Sequence, residues 1–171
     1  YAKLVHARLG AAQENSGKLV ATVRKQARTL AKQWGFNYII SDGPPGIGCP
    51  VISSLSGASL ALLVTEPTLS GTHDLERLLG ICQHFGVPAM VCINKYDINE
   101  ENSRQSEHSG ISHKIEVAGP LPFDNVLTEA LGHGLPIVEY SDESFRRKIA
   151  ELWERTLWLL KKQGGAANAD I

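Results

Sequence analysis

Three short apolar runs, each broken off by polar or turn-forming residues, restrict this chain to a small set of folds. They are Tyr38-Ile39-Ile40, Leu60-Ala61-Leu62-Leu63-Val64-Thr65 and Pro88-Ala89-Met90-Val91-Cys92-Ile93. Each is too short for a helix and too continuously apolar for a strand with one wet face. Each therefore reads as a strand buried on both faces. Helical patterns lie between and before them. Over 18–34 the apolar residues Leu19, Val20, Val23, Ala27, Leu30 and Trp34 recur at helical spacing, with Lys18, Arg24, Lys25, Arg28 and Lys32 mostly on the other faces. Leu75, Leu78, Leu79, Cys82 and Phe85 form a second such stripe, with Ser70 or Thr72 placed to cap it and Gly86 to end it. Strands alternating with helices at this spacing require right-handed crossovers. The expected fold class is therefore α/β, three-layer and doubly wound, with a mostly parallel sheet.

The remaining elements follow from local signals. A strand is expected over 3–9, a short helix over 50–56 and a short strand over 115–117. Residues 99–112 are polar and read as a loop or a weak, exposed helix. A helix is expected over 125–132, then an extended segment over 137–140. Ser141 is placed to cap a last helix with the buried stripe Phe145, Ile149, Leu152, Trp153, Thr156 and Leu160. Residues 1–163 are expected to form one domain unit, and 164–171, small and polar, a disordered tail.

Composition narrows the function classes. Of 171 residues, 43% are hydrophobic, enough for a sizeable core. Seventeen basic and 18 acidic side chains give a net charge of -1, so no charge imbalance points to nucleic acid or an anionic membrane. No integral membrane segment and no signal peptide is expected. The cysteines Cys49, Cys82 and Cys92 form no CxxC pair and are expected to be reduced, in a cytoplasmic protein. The chain opens on Tyr1 inside an apparent strand, as a fragment or processed chain would.

The chemistry concentrates where the apolar runs end. Asp42 follows the first run and leads into Gly43-Pro44-Pro45-Gly46. In open α/β sheets ligands bind outside the carboxyl ends of the strands. A carboxylate there, beside a glycine-rich loop, suits a magnesium–phosphate site; an ordinary strand-ending turn is the alternative. Asn94-Lys95-Tyr96-Asp97 follows the third run and fits the N-K-x-D pattern with which GTP-binding proteins read guanine. A polar loop closing a strand is the alternative. Leu121-Pro122-Phe123-Asp124 could close the other side of a base pocket, or simply be a turn before a helix. Glu14-Asn15-Ser16-Gly17-Lys18 is not a phosphate loop, because Leu19 stands where a magnesium-holding Ser or Thr belongs. It reads better as a helix cap. The histidines His6, His73, His84, His108, His113 and His133 show no ligand spacing.

Taken together, these segments resemble a known family. Asp42-Gly43-Pro44-Pro45-Gly46-Ile47-Gly48-Cys49-Pro50-Val51-Ile52 looks like the Walker B and switch II segment of the MinD/ParA group of P-loop ATPases. Glu66-Pro67-Thr68 with Gly71-Thr72-His73-Asp74-Leu75 resembles the group's next strand–helix unit. Asn94 to Asn99, Leu121 to Asp124 and Gly134 to Tyr140 resemble its base-side loops. The nearest likeness is to MinD-superfamily ATPases with an inserted ferredoxin domain, in which a segment like 7–24 follows the insert. The family's Walker A loop and the ferredoxin cysteines are absent from this sequence.

The resemblance implies that the chain is the carboxyl-terminal part of a P-loop NTPase-type domain lacking its P-loop strand. The strand ending at Asp42 would then have an unpaired apolar edge. It implies a MgATP-binding and hydrolysing switch ATPase, with ATP and Mg2+ as cofactors. Asp42 would position the magnesium through water, and Gly43 and Gly46 would let the switch loop move. Asn94, Lys95, Asp97, Pro122 and Asp124 would frame the base. The implied partners are the missing amino-terminal half, a second copy in a homodimer, and a redox or iron–sulfur partner. Iron–sulfur clusters would sit only in a ferredoxin region outside this chain. Two rivals stay open: a GTPase, from the full N-K-x-D match, and a non-catalytic partner-binding half-domain that is inactive alone.

Overall fold

The computed structural model describes residues 2–8, 16–164 and 169–171. The expectation at Asn15, a helix cap, lies outside the described residues. Residues 2–8 form no strand, unlike the expectation for 3–9; the part of that range beyond Arg8 is not described.

Helix α1, Ser16–Trp34, closely matches its apolar stripe. Strand β1, Tyr38–Ile39, follows. It is less buried than a two-sided strand should be: Ile39 is buried, whereas Tyr38 and Ile40 are exposed. Tyr38 finds a neighbour in Trp153, its ring meeting the indole edge-on at 5.7 Å. The seven-residue α2, Cys49–Leu55, has proline in its first turn, where a missing N–H costs nothing.

Strands β2, Ala61–Thr65, and β3, Ala89–Ile93, run parallel in full register from Ala61 opposite Ala89 to Thr65 opposite Ile93. Between them runs α3, Leu69–Phe85, which ends on Gly86 in the left-handed conformation. Its cap is Thr68, one turn earlier than expected: the Thr68 hydroxyl accepts from the Gly71 amide at 2.9 Å.

Residues 100–112 form a full helix, α4 (Glu100–Ser112), capped by Asn99. Strand β4, Glu116–Val117, adds to β3 in parallel. Helix α5, Val126–Gly132, follows. Residues 137–140, expected extended, are instead the short helix α6, Ile137–Tyr140, set off by Pro136. Helix α7, Glu143–Lys162, is capped by Asp142 and not by Ser141: the Asp142 carboxylate accepts from the Phe145 amide at 2.8 Å. Phe145, Thr156 and Leu160 of its expected stripe are buried, and Leu159 joins them; Trp153 is partly exposed.

The last strand, β5 (Ala169–Asp170), pairs parallel with β1. These residues belong to the stretch expected as a disordered tail, and the structure corrects that expectation for them. Asp170 finds buried ion-pair and backbone partners there, which fix a segment that composition alone marks as mobile. Its carbonyl also accepts from the Ser59 amide at 2.8 Å, just before β2. The parallel pair β1–β5 and the parallel sheet β2–β3–β4 are thereby stitched into one row.

Two cores flank the row. On one face Ala61, Leu63, Val91 and Ile93 pack with Val51 and Leu55 of α2 and Leu75, Leu79 and Cys82 of α3. On the other, Leu60 and Met90 pack with Leu159 and Leu160 of α7. The result is the expected three-layer α/β order with a parallel sheet. No described helix is long and apolar enough to cross a membrane.

Candidate functional site

In a parallel sheet every strand points the same way, so the loops after β1, β2, β3 and β4 all emerge at one edge. Three of those loops are bonded into a single cluster. The Asn94 amide donates to the carbonyl of Thr65 at 2.7 Å, and Asn94 forms an isolated parallel bridge with Leu121. Lys95 turns the chain with φ 56° and ψ 40°, a left-handed conformation uncommon outside glycine. Its Nζ lies 2.7 Å from Glu66 Oε1, tying the loop after β3 to the loop after β2. A single 3-10 turn, Tyr96–Ile98, follows. Asp97 Oδ1 accepts from the Phe123 amide at 2.7 Å, tying the same loop to the one after β4. Asp124 Oδ1 accepts from the Val126 amide at 2.9 Å and starts α5; Pro122 beside it is half-buried.

The structure therefore brings Asn94, Lys95, Asp97, Pro122 and Asp124 together, and adds Glu66, which sequence reasoning left without a role. The signal for Glu66 was available: it ends a buried strand on the same edge. The same geometry also shows what these side chains already do. One oxygen of Asp97 and one of Asp124 accept backbone N–H groups, and Lys95 is paired. Each of these bonds holds one loop to another or starts a helix.

Asp42 stands apart from this cluster. It is exposed, three residues beyond β1, and no hydrogen bond or ion pair among the described residues occupies its carboxylate. Gly43, Pro44 and Pro45 are exposed as well. Gly46 has φ +85°, a conformation that a side chain would strain. A single exposed carboxylate fits a hydrated magnesium ion, which keeps most of its waters and takes one or two carboxylates beside phosphate oxygens. It does not fit a cation held by protein alone. No group of three His, Cys, Asp or Glu among the described residues could hold a metal ion directly.

The cysteines do not fit an iron–sulfur cluster. Cys82 and Cys92 are buried, and burial pushes both thiols up to about 11. Cys92 is also close to the Gly119 carbonyl, at 3.1 Å from Sγ. Cys49 is exposed.

Asp42 also sits on the wall of a cleft of about 740 Å³ between α1, residues 2–7 and β1. Its other lining includes Leu4, Val20, Val23, Trp34 and Ile39.

The sequence of this chain is 42% identical, over 138 aligned positions, to the septum site-determining protein MinD of Neisseria meningitidis, covering 71% of this chain and 50% of that one. It is 26% identical to an iron–sulfur cluster carrier protein of Pyrococcus abyssi, covering 87% of this chain and 55% of that protein. Its fold superposes on the crystal structure of the cell division ATPase MinD of Pyrococcus furiosus with a TM-score of 0.63, at 23% identity, over 83% of this chain and 59% of that one. The chain belongs to the MinD/ParA-type superfamily. No family model matches the sequence. The chain spans about half the length of the curated superfamily members it matches. The P. furiosus likeness identifies the fold of this MinD-type chain as P-loop NTPase-like.

Proposed function

We propose that this chain is the carboxyl-terminal part of a MinD-like MgATPase, its residues 1–163 supplying the switch loop and the base side of a nucleotide site. The observation that carries this reading is the shared edge. Asp42 with its Gly43–Gly46 loop, and the bonded cluster Glu66, Lys95, Asp97 and Asp124, leave the same ends of parallel strands. Asp42 would hold magnesium through a water shell, and the ion, when bound, supplies positive charge against the phosphates. Gly43 and Gly46 give the loop the freedom to respond to the phosphate state. Lys95 and Asp97 shape the base side by fixing three loops in one geometry. Asn94 seats the same loop on the sheet through its amide, and Pro122 stiffens its neighbour. The phosphate-binding loop would come from a part of the protein outside this chain.

In this reading the whole protein is a cytoplasmic homodimer switched by ATP. The name of the P. abyssi relative supports coupling to iron–sulfur or redox work, which would sit in a ferredoxin region outside this chain. ATP is favoured over GTP because one Asp97 oxygen is engaged by the Phe123 amide, although the guanine pattern calls for that carboxylate on the base.

The test uses the full-length protein. Asp42→Ala is expected to lower magnesium-dependent ATP hydrolysis by about 100-fold or more, on the scale of losing one well-placed electrostatic contact. Nucleotide affinity without magnesium should change little. Unchanged hydrolysis would make Asp42 structural and remove the basis of the proposal, and a strong GTP preference in competition binding would overturn the choice of nucleotide.

A further inference from the structure

Between β1 and the start of β2 the sheet has a gap one strand wide, and residues 169–171 fill it. The backbone contacts run to both sides. The Ile171 amide donates to Ile39 at 2.8 Å, and the Ser41 amide donates to Ile171 at 2.7 Å. On the other side the Ser59 amide donates to Asp170 at 2.8 Å. The side-chain contacts are more selective. Asp170 is 2% exposed, with Oδ2 at 2.7 Å from the Arg24 guanidinium and 3.1 Å from that of Arg28. Its Oδ1 accepts from the Ser41 hydroxyl at 2.9 Å.

Arg24 is itself 6% exposed, and it does not depend on Asp170 for its position. Its guanidinium donates to the carbonyls of Ser53 and Ser56, each at 2.8 Å, while its Nε lacks a partner. A cation fixed in this way stays buried when its carboxylate leaves, and a buried unpaired charge is strongly unfavourable. Lys25, Arg28 and Lys32 line the adjoining cleft and add to the demand for negative charge.

We propose that the gap between β1 and β2 is a strand-acceptor site, selective for an extended segment bearing a carboxylate, and that Ala169–Asp170 is its detachable occupant. The backbone edges supply strand addition, and Arg24 with Arg28 supplies the side-chain selection. An occupant paired over only two residues is held weakly by its backbone, so most of its hold comes from the carboxylate. The occupant that can replace it is another extended polypeptide segment with an aspartate at the same register. This inference stands independently of the nucleotide proposal.

The experiment uses the chain as it exists. Asp170→Asn should lower the melting temperature by about 10 °C and raise hydrogen exchange at the Ser41 and Ser59 amides at least tenfold. A synthetic peptide Ala-Asn-Ala-Asp-Ile, added to that variant at millimolar concentration, should restore both. The same peptide with asparagine in place of aspartate should restore neither. Unchanged exchange in the variant, or equal effects of the two peptides, overturns the proposal. Should the variant fail to fold, excess aspartate peptide is added to the unaltered chain. Displacement then appears as loss of the Ala169 and Asp170 amide signals from their paired positions while Ser41 and Ser59 stay protected. Failure of the aspartate peptide to displace them is equally decisive against it.

Discussion

Gly71 occupies the closest backbone approach near the candidate site. A Cβ there would lie 2.4 Å from the Glu66 carbonyl oxygen, so only glycine lets the first turn of α3 sit against the loop that presents Glu66 to Lys95. Residue identity is as restrictive at the two buried thiols. Burial raises Cys82 and Cys92 to about 11 from the ordinary 9.0. Above pH 9 the unfolded chain loses these protons while the native chain keeps them until about 11. The unfolded state then binds fewer protons, so stability falls as pH rises through that window. The effect is about 2–3 kcal/mol per thiol by pH 11. Urea titrations at pH 8 and pH 11 should show this fall, and a variant with both cysteines changed to alanine should lack that share of it. At pH 8 a disulfide reagent should modify Cys49 quickly and the other two thiols only on unfolding; rapid reaction of all three would contradict their burial.

Among elements, α4 best shows what hydrophobic periodicity misses. Its inward face is Ser103, Ser106, Ser109 and Gly110, all buried, with the Ser106 and Thr72 hydroxyls 3.1 Å apart where α3 and α4 meet. Small residues allow this close packing, yet they register as polar, so 99–112 read as loop or exposed helix. Ser106→Leu should overfill the contact and leave Thr72 without its hydroxyl partner, costing about 2–3 kcal/mol. The melting temperature should fall by about 8 °C, whereas Glu107→Ala on the exposed side should change it little. A neutral Ser106→Leu would mean the helices do not meet as described. The strands β2 and β3 were legible because continuous apolar runs between turn residues have few other uses. The shared edge of Asn94, Asp97 and Asp124 was legible for the same reason, since parallel strands must end together. The expected strand at 3–9 and the extended 137–140 were not borne out, because weakly apolar short segments carry little periodicity. The Arg24–Asp170 pair joins residues 146 positions apart, and nothing local to an alanine- and asparagine-rich stretch announces it.

For the whole molecule, the pairing of β1 with β5 changes the expectation of a bare apolar edge beside Asp42. That edge is covered, but the face around the cleft is not. Leu4 is 84% exposed and Ile40 72%, with Trp34 and Tyr38 nearby at 49% and 41%. Contiguous exposed apolar surface of this kind favours association. The chain alone is therefore expected to elute from size exclusion ahead of a monomer and to bind a hydrophobic dye. A monodisperse monomer that binds no dye would show that this face is self-sufficient. The position of β5 has one more consequence, which concerns synthesis. Of the described strands, the one that closes the middle of the row lies furthest along the chain. At ribosomal speeds of roughly 5–20 residues per second, Arg24 emerges on the order of ten seconds before its partner carboxylate exists. During that interval the nascent chain can fold β2, β3 and α3 on one side and α1 on the other, but it cannot join them. The protein is thus assembled as two separate pieces, and the final join awaits its last-made strand.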